Sequence, residues 1–101
     1  MASVVNVPGG SYPGEVSWTL SCAGMCEDDD ISGTAPYDAT HSVPPGAACT
    51  LAMVDSYGDG WNGASFNAPG WIAGGGAFEI AGGATGSASF TAPTEAIVGP
   101  V

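Results

Sequence analysis

Residues 49–63 read CTLAMVDSYGDGWNG, and this stretch predicts both a strand and the loop that follows it. Cys49, Leu51 and Met53 alternate with small or polar residues, a period of two that is typical of a half-buried strand. In residues 55–63, three oxygen-bearing side chains are interspersed with three glycines. Glycine adopts the positive φ angles that a tightly wrapped loop needs. The stretch therefore predicts a strand that leads into a compact acidic loop.

This acidic loop contains the ligands that a calcium ion prefers. Asp55, Asp59 and Asn62 supply side-chain oxygens, whereas Ca²⁺ takes about six to eight oxygen ligands. We therefore expect a backbone carbonyl such as that of Tyr57, water, or a distant carboxylate such as Glu79 to complete the shell. The spacing differs from an EF-hand because no Glu closes the loop. The alternative is a metal-free turn in which Asp and Asn accept backbone N–H groups.

The charge balance of the chain also favours bound cations. The 101 residues include ten Asp and Glu and no Lys or Arg, so the formal net charge is −10. Self-repulsion of this kind opposes a compact state, and divalent cations can replace the missing ion pairs. The absence of a basic face also excludes nucleic acids and anionic membrane surfaces as electrostatic partners, and no membrane insertion is expected.

A second acidic run lies upstream and contains Glu27, Asp28, Asp29 and Asp30. Such runs are usually solvated. In a chain without Lys or Arg, four adjacent carboxylates would concentrate divalent ions. We therefore predict a second calcium site here, shared between molecules, with a solvated loop as the alternative.

Three cysteines suggest a disulfide. Cys22 and Cys49 are each in phase with the apolar residues of a predicted strand. A bridge between them would close roughly 27 residues and stabilise the fold by about 3.5 kcal/mol. A Cys22–Cys26 bridge and three reduced thiols are the alternatives, and in the favoured pairing Cys26 is free or paired between chains. A disulfide indicates an extracellular location.

The pattern along the chain predicts an all-β protein. Val16, Trp18, Leu20 and Cys22 alternate with polar residues. Short segments of this kind, separated by Gly and Pro, predict a single β-sandwich or jelly roll of about seven to nine antiparallel strands in residues 11–101. The predicted strands are residues 15–22, 37–43, 49–54, 64–67, 71–73, 77–81 and 87–92.

The two ends of the chain are apolar and uncharged. Residues 1–10 are predicted to form an extended segment, and residues 97–101 are also apolar. Natural edge strands are usually protected by charges, often Lys, which this chain lacks. Either both ends pair within their own sandwich, or one end is donated to a neighbouring molecule by strand addition. The predicted assembly residues are Val4, Val5 and Val7.

Other side chains suggest ligands more than catalysis. Tyr57, Trp61 and Trp71 could stack on a sugar ring, and the many Ser and Thr residues could carry O-linked glycans, as in a glycoprotein. His41 is the only histidine, and no nucleophile elbow or phosphate-binding loop occurs. We therefore expect that the protein is not an enzyme.

Residues 16–20 (VSWTL), 45–46 (PG) and 49–64 (CTLAMVDSYGDGWNGA) resemble a β-sandwich module of secreted and surface proteins of aquatic protists and bacteria. The resemblance covers residues 14–92. It implies an extracellular β-sandwich whose loop binds calcium at Asp55, Asp59 and Asn62. Ala52 departs slightly from the pattern, and the acidic insert around Cys26 is not part of it.

These features together predict an extracellular structural protein. The favoured hypothesis is a subunit of a calcium-stabilised fibre or surface layer, a homopolymer whose copies join head to tail by strand donation. The alternative is a calcium-dependent carbohydrate-binding module with glycans as partners.

Overall fold

Eight short strands make up the described part of the chain, so the all-β prediction is confirmed. The computed structural model describes residues 2–8, 13–25, 30–58, 60–61, 63–72, 77–80 and 82–94. A 3₁₀ turn, Pro13–Glu15, precedes the second strand. No helix in these ranges is long and apolar enough to cross a membrane. The strands are β1 (Ala2–Val7), β2 (Val16–Cys22), β3 (Ile31–Thr34), β4 (Tyr37–Ser42), β5 (Ala48–Asp55), β6 (Phe66–Asn67), β7 (Ala77–Phe78) and β8 (Thr85–Thr91).

The strands form two antiparallel sheets that pack face to face. Sheet A has the order β4-β1-β6-β7, and sheet B has the order β3-β2-β5-β8. Trp18 of sheet B makes edge-to-face contacts with two rings of sheet A, its centroid lying 5.0 Å from Tyr37 and 5.1 Å from Phe66. Such contacts between inward-facing side chains are typical of a β-sandwich.

The alternating residues of β2 and β5 form the centre of sheet B. Every second residue of both strands is buried, as the sequence pattern predicts. The strands pair antiparallel from Val16 opposite Asp55 to Cys22 opposite Cys49. A disulfide joins Cys22 to Cys49, which confirms the favoured pairing. Cys26 lies outside the described residues.

Some predicted boundaries were wrong. The predicted strand at 71–73 is wrong at its first two residues, because Trp71 and Ile72 lie in a turn and both donate their N–H groups to the Ala68 carbonyl at 3.0 Å. Residue 73 lies outside the described residues. Among the described residues of the predicted strands at 64–67 and 77–81, two each pair as β6 and β7. Strand β3 was missed because only Ile31 is buried in it, which leaves no alternation to detect.

Strand β1 lies inside the domain's own sheet A. Its six residues pair with β4, and Asn6 also pairs with Asn67 of β6. Val5 and Val7 are completely buried, whereas Val4 is 39% exposed. Residues 2–7 thus belong to the sandwich, as in the first of the two hypotheses for the chain ends. The other apolar end, residues 97–101, lies outside the described residues.

Candidate metal loop

The acidic loop begins at a buried carboxylate. Asp55, the last residue of β5, is only 1% exposed. Its backbone N–H donates to the Ala84 carbonyl at 2.8 Å. Its Oδ1 accepts the N–H of Tyr57 at 3.0 Å, an interaction typical of Asx turns. The carboxylate therefore shapes the first turn of the loop.

Three glycines give the loop its curvature. The φ angles of Gly58, Gly60 and Gly63 are 89°, 89° and 94°, in the region that glycine adopts without a steric penalty. Gly60 also donates its N–H to the carbonyl of Gly83 at 3.0 Å. The prediction that these glycines adopt positive φ angles is confirmed, and the Gly60 bond joins the loop to the segment before β8.

Trp61 anchors the loop to the core. The side chain is 1% exposed, and its Nε1–H donates to the Val54 carbonyl at 3.0 Å. Its backbone N–H donates to Ile80 at 2.9 Å. The suggestion that Trp61 and Trp71 stack on a sugar ring is wrong, because both are buried, Trp71 being 2% exposed. Tyr57 remains available, with 77% of its surface exposed.

The predicted metal residues occupy different environments. Asp55 is buried at the base of the loop, whereas Glu79 is exposed beside Ile80, which bonds to the loop backbone. Tyr57 lies in the turn itself. Asp59 and Asn62 lie outside the described residues. The structure therefore brings the Asp55 carboxylate and the Tyr57 backbone N–H together, whereas Glu79 is the chain neighbour of Ile80, whose carbonyl accepts the Trp61 N–H.

Glu15 is a carboxylate that the sequence analysis missed. Its backbone carbonyl accepts the N–H of Ser56 at 3.0 Å, immediately after Asp55. Its Oε2 atom is buried. Glu15 reaches the loop only because Val16 pairs with Asp55 across β2 and β5. Since the two are far apart in sequence, only the strand register reveals this neighbour.

The donor set fits a hard cation in its chemistry. In the described ranges, no three His, Cys, Asp or Glu side chains form a metal-binding group by themselves. The loop does combine a buried carboxylate, Asp55, with backbone carbonyls, and Glu15 contacts the loop through its own backbone carbonyl. These are oxygen ligands of the kind that Ca²⁺ prefers. With no Lys or Arg in the chain, a cation is the natural counter-charge for a buried carboxylate.

Of the second acidic run, residues 27–30, the structure describes one residue, Asp30. Asp30 is half-buried, and its Oδ2 accepts the Ser21 hydroxyl at 3.0 Å. Glu27, Asp28 and Asp29 lie outside the described residues. The Asp30 contact fixes the downstream end of the run beside the outer face of sheet B.

His41 has a packing environment on β4. Its Nε2 forms a hydrogen bond with the Tyr37 hydroxyl, and the two rings stack with centroids 5.9 Å apart. Tyr37 in turn contacts Trp18 in the core. The geometry therefore links His41 to the sandwich interior.

No family model, curated protein or solved structure matches this chain.

Proposed function

We propose that this chain is an extracellular structural protein, the subunit of a calcium-stabilised fibre or surface layer that assembles by strand donation. The position of β1 in sheet A carries the proposal. Strand β1 fills the gap between β4 and β6, and no direct β4–β6 pairing exists in the described sheet. It is also the first described strand, so its removal displaces no other described strand.

The same gap suits β1 of a neighbouring copy. An incoming Ala2–Val7 strand would recreate the pairs with β4 and the Asn6–Asn67 pair. Val5 and Val7 would refill the same buried positions. Each copy would then give one strand and receive one. Such heterologous contacts produce an open filament, and strand addition gains affinity from main-chain hydrogen bonds.

A side chain of β6 and a backbone N–H of the following turn form hydrogen bonds with β1 and fix its position in sheet A. Asn67 Nδ2 donates to the Asn6 carbonyl at 3.1 Å. Gly70 donates its N–H to Ser3 Oγ at 2.8 Å, and Ser3 is buried. The Asn6 carbonyl is a backbone group that any strand offers, whereas the Ser3 hydroxyl belongs to the β1 sequence, so the Ser3 contact would favour β1 of another copy over an unrelated strand.

Calcium would stabilise the subunit at the acidic loop. Asp55, Asp59, Asn62 and Glu15, with carbonyls near Tyr57, are the residues we propose to hold the ion, and Glu79 is a further candidate. The ion would supply a positive charge that the chain otherwise lacks and would fix the loop against β8. The residues 27–30 would bind calcium between copies and reduce repulsion between subunits of net charge −10.

An extracellular location agrees with the Cys22–Cys49 disulfide, because such bonds persist in oxidising compartments. The resemblance to surface-protein modules favours the same location. A Ser- and Thr-rich surface could also carry O-linked glycans.

Electron microscopy of the purified protein tests the proposal. We expect filaments or sheets in calcium, and their loss after chelation. Dispersed monomers in calcium, at concentrations up to the solubility limit, would contradict it.

The alternative function is a calcium-dependent carbohydrate-binding module. The exposure of Tyr57 favours it, because an aromatic ring that protrudes from a calcium-binding loop can stack on a sugar. A glycan array with and without chelator tests this alternative. Binding that requires calcium and is lost in Tyr57→Ala would favour it over the fibre.

A further inference from the structure

The edge strands of the two sheets differ in how well they are protected. Strands β3 and β7 have only four and two residues. Strand β4 carries Asp38 and His41. Strand β8 extends over seven residues, TGSASFT, with no charge and no Pro. Short or charged edges resist pairing with other chains, so β8 is the unprotected edge among the described strands.

The hydrogen-bond pattern shows which groups of β8 face outward. Backbone bonds from Asp55 to Ala84 and from Ala92 to Ala47 flank the pairs at the two ends of β8. In antiparallel sheets, bonds in these positions surround a non-hydrogen-bonded pair. Because the two kinds of pair alternate, the residues whose N–H and C=O groups face the open edge are Thr85, Ser87, Ser89 and Thr91. In the described ranges, no other strand pairs with this edge.

The sequence of β8 is complementary to itself. Its outward-facing residues read Thr-Ser-Ser-Thr, which is the same in both directions. If two β8 strands run antiparallel with Ala88 at the centre, each Ser87 lies opposite Ser89 of the second copy. Gly86 then lies opposite Phe90 of the second copy, and an aromatic residue beside an edge glycine compensates for the missing side chain.

Charge also favours this edge for contact between copies. Two molecules of net charge −10 repel each other, so a contact is least costly where carboxylates are absent. The exposed residues of β8 are all Ser or Thr. The exposed residues of the adjacent strand β5 are Ala48, Thr50, Ala52 and Val54, which are also uncharged.

We propose that β8 is a self-association edge through which two copies form one continuous eight-stranded sheet. The strands pair antiparallel about a twofold axis at Ala88, and the four outward-facing residues of each copy exchange backbone hydrogen bonds. This contact differs from β1 exchange, which joins copies head to tail. It links two copies laterally, and it stands whether or not β1 is exchanged.

Sedimentation in chelator tests the contact under conditions where the calcium-dependent filament is dispersed. We expect a dimer of the wild-type chain. Ser87→Glu/Ser89→Glu places like charges directly opposite each other and should abolish the dimer. Ser32→Glu/Thr34→Glu adds the same charge to exposed positions of β3, at the opposite edge of sheet B, and should leave the dimer intact. Equal dimer loss in both variants, or a monomeric wild type, overturns the proposal.

Amide hydrogen exchange tests the register without any substitution. Gly86, Ala88 and Phe90 should be protected at every concentration, because they bond to β5 within the chain. Ser87 and Ser89 should gain protection only as the protein concentration rises. Exchange at Ser87 and Ser89 that does not depend on concentration would overturn the proposal.

Discussion

Cys22 and Cys49 lie directly opposite each other on β2 and β5, with Cα atoms 4.0 Å apart and a disulfide between them. The bond therefore joins the two central strands of sheet B. Both residues are buried. It fixes the strand register that also places Glu15 beside the beginning of the acidic loop.

Removal of this disulfide should destabilise the domain. The bond closes a sequence separation of 27 residues. For the variant Cys22→Ala/Cys49→Ala we expect a loss of about 3.5 kcal/mol in the free energy of unfolding, because the unfolded chain gains conformational freedom. Denaturation in guanidinium chloride measures the change. Cys26→Ala is the control and should leave the midpoint nearly unchanged. Equal denaturation midpoints for the wild type, Cys22→Ala/Cys49→Ala and Cys26→Ala would contradict the prediction.

Strand exchange should be detectable by a cysteine pair on β1 and β4. Val4 and Thr40 lie directly opposite each other, and both are exposed. In a Cys26→Ser background, Val4→Cys/Thr40→Cys should form a disulfide, because paired strands bring Cα atoms to about 4.5–5.5 Å. If β1 is exchanged in calcium, non-reducing gels should show a ladder of linked chains.

The single variants Val4→Cys and Thr40→Cys are the controls and should give no ladder. Oxidised monomer alone, in calcium and at high protein concentration, would show that β1 remains in its own chain and would exclude assembly by strand donation.

The close packing of β1 against the turn after β6 should require a glycine at position 70. A Cβ atom at this position would lie 2.7 Å from both the Ala2 carbonyl oxygen and Ser3 Cβ. We expect Gly70→Ala to cost about 1–3 kcal/mol in the free energy of unfolding, because β1 must shift. Gly82→Ala is the matched control, since its Cβ would have no atom within 4 Å. It should change stability by less than about 0.5 kcal/mol.

Chemical denaturation measures both changes, and amide exchange at Val5 and Val7 reports the loosening of β1 directly. If Gly70→Ala and Gly82→Ala had the same stability, the close approach between Gly70 and β1 would have no energetic consequence.

Calcium should stabilise the domain through Asp55. At a concentration of about 100 times its Kd, a ligand that binds only the folded state adds about 2.7 kcal/mol to the free energy of unfolding. Asp55→Asn should lose this gain, while its Oδ1 still accepts the Tyr57 N–H and preserves the turn. Asp38→Asn removes the same charge from exposed β4 and should retain the full calcium effect.

Thermal unfolding with calcium and with chelator measures these differences. A wild-type Tm that is the same in both conditions would exclude a calcium site in the folded domain.

Strong local patterns predicted much of the fold. The alternation in β2 and β5 was read correctly because each strand buries one face against sheet A, so burial has the same period of two as the sequence. The weakly patterned strand β3 was missed, and the turn at Trp71 was mistaken for a strand. Strand β3 is defined by its pairing with β2, and the turn at Trp71 by bonds to the Ala68 carbonyl. A pattern of apolar residues reveals neither kind of bond.

The candidate site was predictable only where its features depend on residues close together in the chain. The positive φ angles of Gly58, Gly60 and Gly63 follow from local composition. The approach of Glu15 and the burial of Trp61 do not, because they depend on pairing between strands and on packing against the core.

The sequence by itself determined the all-β class, the positive φ angles of the acidic loop and the phase that places Cys22 and Cys49 on the buried faces of their strands, because each arises from residues close together in the chain. Only the tertiary structure decided that β1 fills the gap between β4 and β6 and that β8 is an open edge among the described strands. Strand order depends on which surfaces meet after the sheets pack, and no local pattern encodes that choice.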